Sequence, residues 1–258
     1  GIGGLTAAAH LVKAGLRVLV VEKNPHIGGT AFAYHRKGFT FPMGPLGFSD
    51  PEVIRETLEE LGHGDGLELS RVHYRIRAFD LDLPLSLPYL EIIRELQRIF
   101  PSDALGIREF FNCVEKLTSS QKITDSDPRQ MQRASEVSAS EYLSGLIKDW
   151  RLKRILGSIG TREPYSGLPL LAAMWNLMCH EGIWFPEEGM QPFCERLANA
   201  VIGKNDRSGE IRLNKDVAKI RIDQGKVLGV TLKDGTQIDS SSVISNADYK
   251  TAFLKLMD

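Results

Sequence analysis

The feature that most constrains this chain is the order of turn, helix and strand at its beginning. Gly1-Ile2-Gly3-Gly4 is followed by small and apolar residues over 5–13, then Gly15, then Arg17-Val18-Leu19-Val20-Val21-Glu22. A helix-forming stretch stopped by glycine predicts a helix over 5–13. The β-rich run over 17–22 predicts a fully buried strand of the type found inside parallel sheets. A glycine turn of this kind follows a strand, so the natural protein is expected to begin upstream of Gly1, with this chain as a fragment.

The spacing says what such a turn is for. Glycines let the backbone approach a pyrophosphate, and the helix that opens there points free N–H groups and a positive dipole end at the phosphates. Taken alone, Gly1 and Gly4 are equally consistent with an ordinary tight turn. Gly15 and Val18 place helix and strand in close contact, however, and Glu22 ends the strand about 20 residues after the turn. There a carboxylate accepts hydrogen bonds from a ribose diol. It also repels a 2′-phosphate, which favours FAD or NAD over NADP. A second glycine turn, Gly28-Gly29-Thr30, follows at once. The pattern predicts a dinucleotide site.

The bulk numbers exclude other classes. With 258 residues, 42% hydrophobic, 25% charged and a net charge of −1, the composition is that of a globular protein without an electrostatic footprint for nucleic acid. The longest strongly apolar stretch, 167–179, is interrupted by Pro169 and Asn176, short of the roughly 18 residues a spanning helix needs. Cys113, Cys179 and Cys194 form no close pair, which points to a reducing compartment and a cytoplasmic location, and the histidines show no metal-ligand spacing.

Along the chain, Ser49-Asp50-Pro51 starts a helix with Val53, Ile54, Leu58 and Leu61 on one face and Gly62 at its end. Residues 67–87 read as a few strands. Ile107, Phe110, Phe111, Val114 and Leu117 recur at helical spacing, Ser138 and Glu141 form a capping box, and 121–135 read as a polar excursion. Residues 168–179 read as a buried helix, and Met190, Phe193, Leu197 and Val201 as one face of another. Strands are expected over 210–213, 217–222, 227–232 and 243–245, with turns at Gln224-Gly225 and Asp234-Gly235. The layout is α/β: a Rossmann-type domain (1–66 and 189–258) with an inserted, largely helical substrate domain (67–188). Leu168, Leu171, Trp175 and Met178 are read as core in preference to a lipid tunnel. Glu181, Glu187 and Glu188 are read as surface groups in preference to acid–base catalysts.

Gly1-x-Gly3-Gly4, Gly15-x-x-Val18-x-x-x-Glu22 and Gly28-Gly29 resemble the extended dinucleotide motif of the flavoproteins that include amine oxidases, phytoene desaturases and carotenoid isomerases. Gly38-Phe39-Thr40-Phe41-Pro42-Met43-Gly44-Pro45 is similar to a segment of the phytoene-desaturase-like enzymes, with Pro42 where those enzymes carry an aspartate. Gly182-Ile183-Trp184-Phe185-Pro186, Gly189-Met190 and the run from Ile211 through Asp248 resemble later segments of the same family. The resemblance implies FAD as cofactor, held by Gly1, Gly3, Gly4, Glu22, Lys23, Gly28, Gly29 and Thr30. It places Met43 and Gly44 near the flavin ring and the Val217 backbone at the adenine. It implies oxidation or isomerisation of an apolar isoprenoid or polyene, with no catalytic side chain singled out and peripheral membrane contact for substrate access left open. An amine oxidase on a smaller polar substrate is the alternative enzyme. A non-enzymatic prenyl-lipid-binding relative, like the GDP-dissociation inhibitors, is the alternative outside enzymes.

Overall fold

The computed structural model describes residues 1–44, 47–119, 138–159, 167–203 and 209–257. The chain forms two compact units, one from Gly1–Ser70 with Trp184–Asp258 and one from Arg71–Ile183.

The first unit opens with helix α1 (Ile2–Lys13) and strand β1 (Leu19–Val21). The helix stops where Gly15 takes φ 85°, and its buried face is Leu5, Ala8, Ala9 and Val12. A 3-10 turn, Gly29–Ala31, leads into the hairpin β2 (Ala33–Arg36) and β3 (Phe39–Pro42). Lys37 and Gly38 close it, both at positive φ, as a two-residue hairpin turn demands. In helix α2 (Pro51–Glu60) the Asp50 side chain caps the Val53 N–H at 3.2 Å. Ile54, Leu58 and Leu61 face the core. Val53 does not share that face and is exposed, because one step of about 100° carries it off the stripe.

Strand β4 (Leu69–Val72) leads to the second unit, where β5 (Arg75–Ala78) pairs antiparallel with β6 (Leu81–Pro84). Helices α3 (Tyr89–Ile99), α4 (Ala104–Ser119), α5 (Ala139–Leu146), α6 (Trp150–Gly157) and α7 (Leu168–Asn176) follow. Leu81, Leu83, Ile92, Leu96, Ile107, Phe110 and Trp175 are among the residues of its apolar core. Trp175 is fully buried, stands edge-on to Phe110 and Phe111, and donates its indole N–H to the Leu156 carbonyl at 2.9 Å. It is core. Buried Asp103 accepts from the Lys148 and Asp149 N–H groups at 2.7 and 3.0 Å, which fixes the link between α5 and α6. Ser138 caps α5 through the Glu141 N–H. The expected polar excursion over 121–135 lies outside the described residues. The helix expected over 168–179 changes to a π-turn at Leu177–Glu181 and ends at Gly182, φ 81°.

The chain returns to the first unit with β7 (Ile183–Pro186), α8 (Met190–Ile202) and β8 (Glu210–Arg212). Strand β8 pairs parallel with β1, in the register Leu19 to Glu210 and Val21 to Arg212. Strands β9 (Val217–Asp223), β10 (Lys226–Leu232) and β11 (Gln237–Asp239) form an antiparallel sheet in the order β11-β10-β9. Gln224 and Gly225, at φ 45° and 75°, make the first turn of that sheet.

Two strand expectations are corrected. Residues 243–245 form no strand, since no described strand lies beside them to take their ladder bonds. Strand β1 is shorter than 17–22 and half-buried, because among the described residues it has one strand neighbour, β8. No helix among the described residues is long and apolar enough to cross a membrane.

Candidate cofactor site

The site lies in the first unit, where α1 opens. Gly1 is the N-cap of α1 and has no side chain to cap it with, so the first N–H groups of the helix depend on other partners. Helix α1 is held by its contact with α8, through Leu5, Ala8, Ala9 and Val12 on one side and Leu197, Ala198 and Val201 on the other. Small residues on α1 allow the close approach.

Glu22 follows β1 and is tied at every polar atom of its backbone. Its N–H donates to the Arg212 carbonyl and its carbonyl accepts from the Lys215 N–H, both at 2.9 Å. The carboxylate accepts from the Asn24 N–H at 2.9 Å, and its other oxygen lies 3.7 Å from the Gly1 nitrogen. The acid therefore stands at the glycine turn. Lys23, beside it, is exposed.

The second glycine turn is brought onto the first. Gly28 has φ 94° and ψ −16°, and a methyl group there would come within 2.8 Å of the Cys194 sulfur. Gly29 has φ 60°, and a methyl group there would come 3.0 Å from the Gly1 Cα. Both positions demand glycine on two counts, conformation and space. Cys194 belongs to the core under this turn, and burial pushes its thiol up to about 11. Gly44 joins from the far end of the β2–β3 hairpin, where a methyl group would run into the Thr30 carbonyl. Met43 donates its N–H to the Phe32 carbonyl at 3.0 Å and leaves its side chain largely exposed.

Gly1, Gly3, Gly4, Glu22, Gly28 and Gly29 thus form one cradle, with Thr30, Met43 and Gly44 along its edge. Val217 is more distant in kind. It opens β9 in the antiparallel sheet, two residues beyond Lys215, whose N–H is bonded to Glu22. The cradle combines helix N–H groups, side-chain-free backbone and a carboxylate, the donor and acceptor set that a dinucleotide requires. FAD fits it.

A family model for flavin-containing amine oxidoreductases matches residues 2–255. The chain belongs to that family. Among the curated relatives of this flavin amine oxidoreductase chain is a zeta-carotene-forming phytoene desaturase of Myxococcus xanthus, 28% identical over all of this chain and 54% of the relative. Another is a chloroplastic prolycopene isomerase of an Oncidium hybrid cultivar, 28% identical over all of this chain and 48% of the relative. The chain therefore spans about half the length of these relatives. An oxidoreductase structure from Methanosarcina mazei aligns with a TM-score of 0.68 at 20% identity, over 99% of this chain and 59% of the other, which supports the mixed α/β fold.

Two residues outside the expected set take up positions at the site. Asn246 is bonded to Gly4, and Cys194 lies beneath Gly28. Arg196, on the helix that carries Cys194, clamps Glu188 at 2.6 and 2.8 Å. Asn246 falls in the run that resembles the family, but its bond to Gly4 is not legible there, because the two lie 242 residues apart. Of the acidic trio, Glu188 is held by Arg196, Glu187 by Ser70, and Glu181 by the Asn176 amide at 2.7 Å. All three are exposed.

Proposed function

We propose that the first unit is the Rossmann-type FAD-binding part of a flavoenzyme and the second its substrate part. The reaction is desaturation or isomerisation of an apolar polyene of the isoprenoid class. The observation that carries the cofactor half of this reading is the seating of Gly29 on Gly1, which makes one cradle of two glycine turns. The substrate half is supported by relatives named as phytoene desaturase and prolycopene isomerase that match over the whole chain.

In this reading the α1 N–H groups hold the pyrophosphate, Glu22 takes the ribose hydroxyls, the Val217 backbone meets the adenine, and Met43 and Gly44 border the ring. The flavin, when bound, supplies the acceptor for a hydride from an unactivated carbon. The protein's part is alignment and a dry apolar surrounding. The exposed Tyr34, Phe39 and Phe41 beside Arg36 and Lys37 on the β2–β3 hairpin have the chemistry of an interfacial contact, which suits a substrate drawn from a bilayer.

The test uses the full-length protein. Apoprotein titrated with FAD should bind it tightly. Glu22→Ala should weaken binding by about 1.5–3 kcal/mol, the range for hydrogen bonds to a charged group. Anaerobic mixing with phytoene in detergent micelles should bleach the flavin. Bleaching by small primary amines, with none by the polyene, would replace this reading with an amine oxidase.

A further inference from the structure

We infer that Asn246 is a cofactor-binding residue whose side-chain amide caps α1 on one side and faces the FAD pyrophosphate on the other. Its oxygen accepts from the Gly4 N–H at 3.0 Å. Methyl groups built at the glycines would lie 3.1 Å from its oxygen at Gly1, 3.1 Å from its nitrogen at Gly3 and 3.3 Å from its Cβ at Gly4. One amide thus lies close to all three glycines of the turn, and a methyl group at any of them would have to push it aside by a few tenths of an ångström. The inference rests on the reading that this turn holds the pyrophosphate.

The chemistry of the amide follows from its one fixed bond. Gly4 N–H is a donor, so the oxygen must face it, and the NH2 group with two donor hydrogens is turned elsewhere. Gly1 offers no side-chain cap, so Asn246 does what an N-cap residue does, from the far end of the chain. Asparagine and aspartate are about equal as helix caps, and an aspartate would gain further from the helix dipole. A charged cap would repel a pyrophosphate that shares its helix end. Asparagine meets both demands, capping with its oxygen and offering its NH2 to an anion. Downstream, the Asp248 carboxylate accepts from the Thr251 N–H at 2.9 Å and caps the short helix that follows Asn246. Asn246 therefore also fastens this returning segment to the glycine turn.

The contrast between cap and ligand makes the inference testable in the full-length protein. Thermal melts of the apoprotein report the cap, and FAD affinity, measured by flavin fluorescence at low and high salt, reports the anion contact. Asn246→Asp should melt at or above wild type yet bind FAD at least tenfold more weakly, with the loss shrinking as salt rises. ADP, used as a competitor, should lose affinity in parallel. Asn246→Ala should melt lower and bind FAD several-fold more weakly. If Asn246→Asp binds FAD like wild type while Glu22→Ala does not, Asn246 is a helix cap only and the inference falls. If Glu22→Ala also binds like wild type, the assignment of the turn itself falls. Should the aspartate variant melt low, the alanine variant decides: unchanged FAD affinity, at a temperature where it is folded, overturns the inference.

Discussion

Replacing Gly28 by alanine tests how the second glycine turn is held in place. Two costs can be worked from the geometry. The first is conformational: at φ 94° an L-residue sits in the left-handed region at about 1–2 kcal/mol. The second is steric. The new methyl would lie 2.8 Å from the Cys194 sulfur and 3.3 Å from the Cys194 Cβ, and overpacking of this kind costs about 1–3 kcal/mol. Together they predict a loss of about 2–5 kcal/mol, a large part of the roughly 5–15 kcal/mol that holds a domain folded. The two costs separate in a double-mutant cycle. Cys194→Ala removes the sulfur but keeps the Cβ and the backbone angle, so in that background Gly28→Ala should lose most of the steric part and cost nearer the conformational part, about 1–2 kcal/mol. The assay is equilibrium urea unfolding of the full-length apoprotein, with FAD affinity measured beside it. Affinity should fall as well, because any shift of Gly28 carries Gly29 away from Gly1. Strictly additive single and double variants, or a Gly28→Ala protein within about 0.5 kcal/mol of wild type, would refute the contact and the argument built on it.

Two further predictions concern buried groups. Asp103→Ala should destabilise the second unit by about 2–4 kcal/mol in urea unfolding, since it strands the Lys148 and Asp149 N–H groups; a loss below about 0.5 kcal/mol would show that solvent takes over both bonds. Burial pushes the Cys179 and Cys194 thiols up, to about 12 and about 11. At pH 8 only roughly one Cys194 in a thousand is thiolate, so native protein should alkylate at the less buried Cys113 first. The folded values lie above the unfolded one of about 8.5, so the folded state holds the extra protons and stability should decline as pH rises from 8.5 towards 11. Rapid labelling of Cys194 in the native state, read by mass spectrometry, would contradict its burial.

Much of the cofactor cradle was legible in the residues because its parts are local. Gly28 and Gly29 need backbone angles or space that only glycine has, and Glu22 follows a β-rich run that returns it to the glycine turn. The caps Asp50 and Ser138 and the turn at Gln224-Gly225 were readable for the same reason, since each satisfies backbone groups within a few residues of itself. Val53 escaped because an apolar residue next to a helical stripe looks like a member of it, and only packing shows which way it points. Residues 243–245 have the composition of a strand, but a strand cannot satisfy its own backbone and exists only where a neighbour offers a ladder. The remaining features were decided by the tertiary structure. Asp103 meets its donors 45 and 46 residues on, Cys194 lies under a turn formed near the start of the chain, and Asn246 reaches back to Gly4. Hydrogen bonds and van der Waals contacts act over a few ångströms of space, whatever the separation along the chain. A residue whose partner is distant in sequence therefore carries no local mark of its role until folding brings the two together.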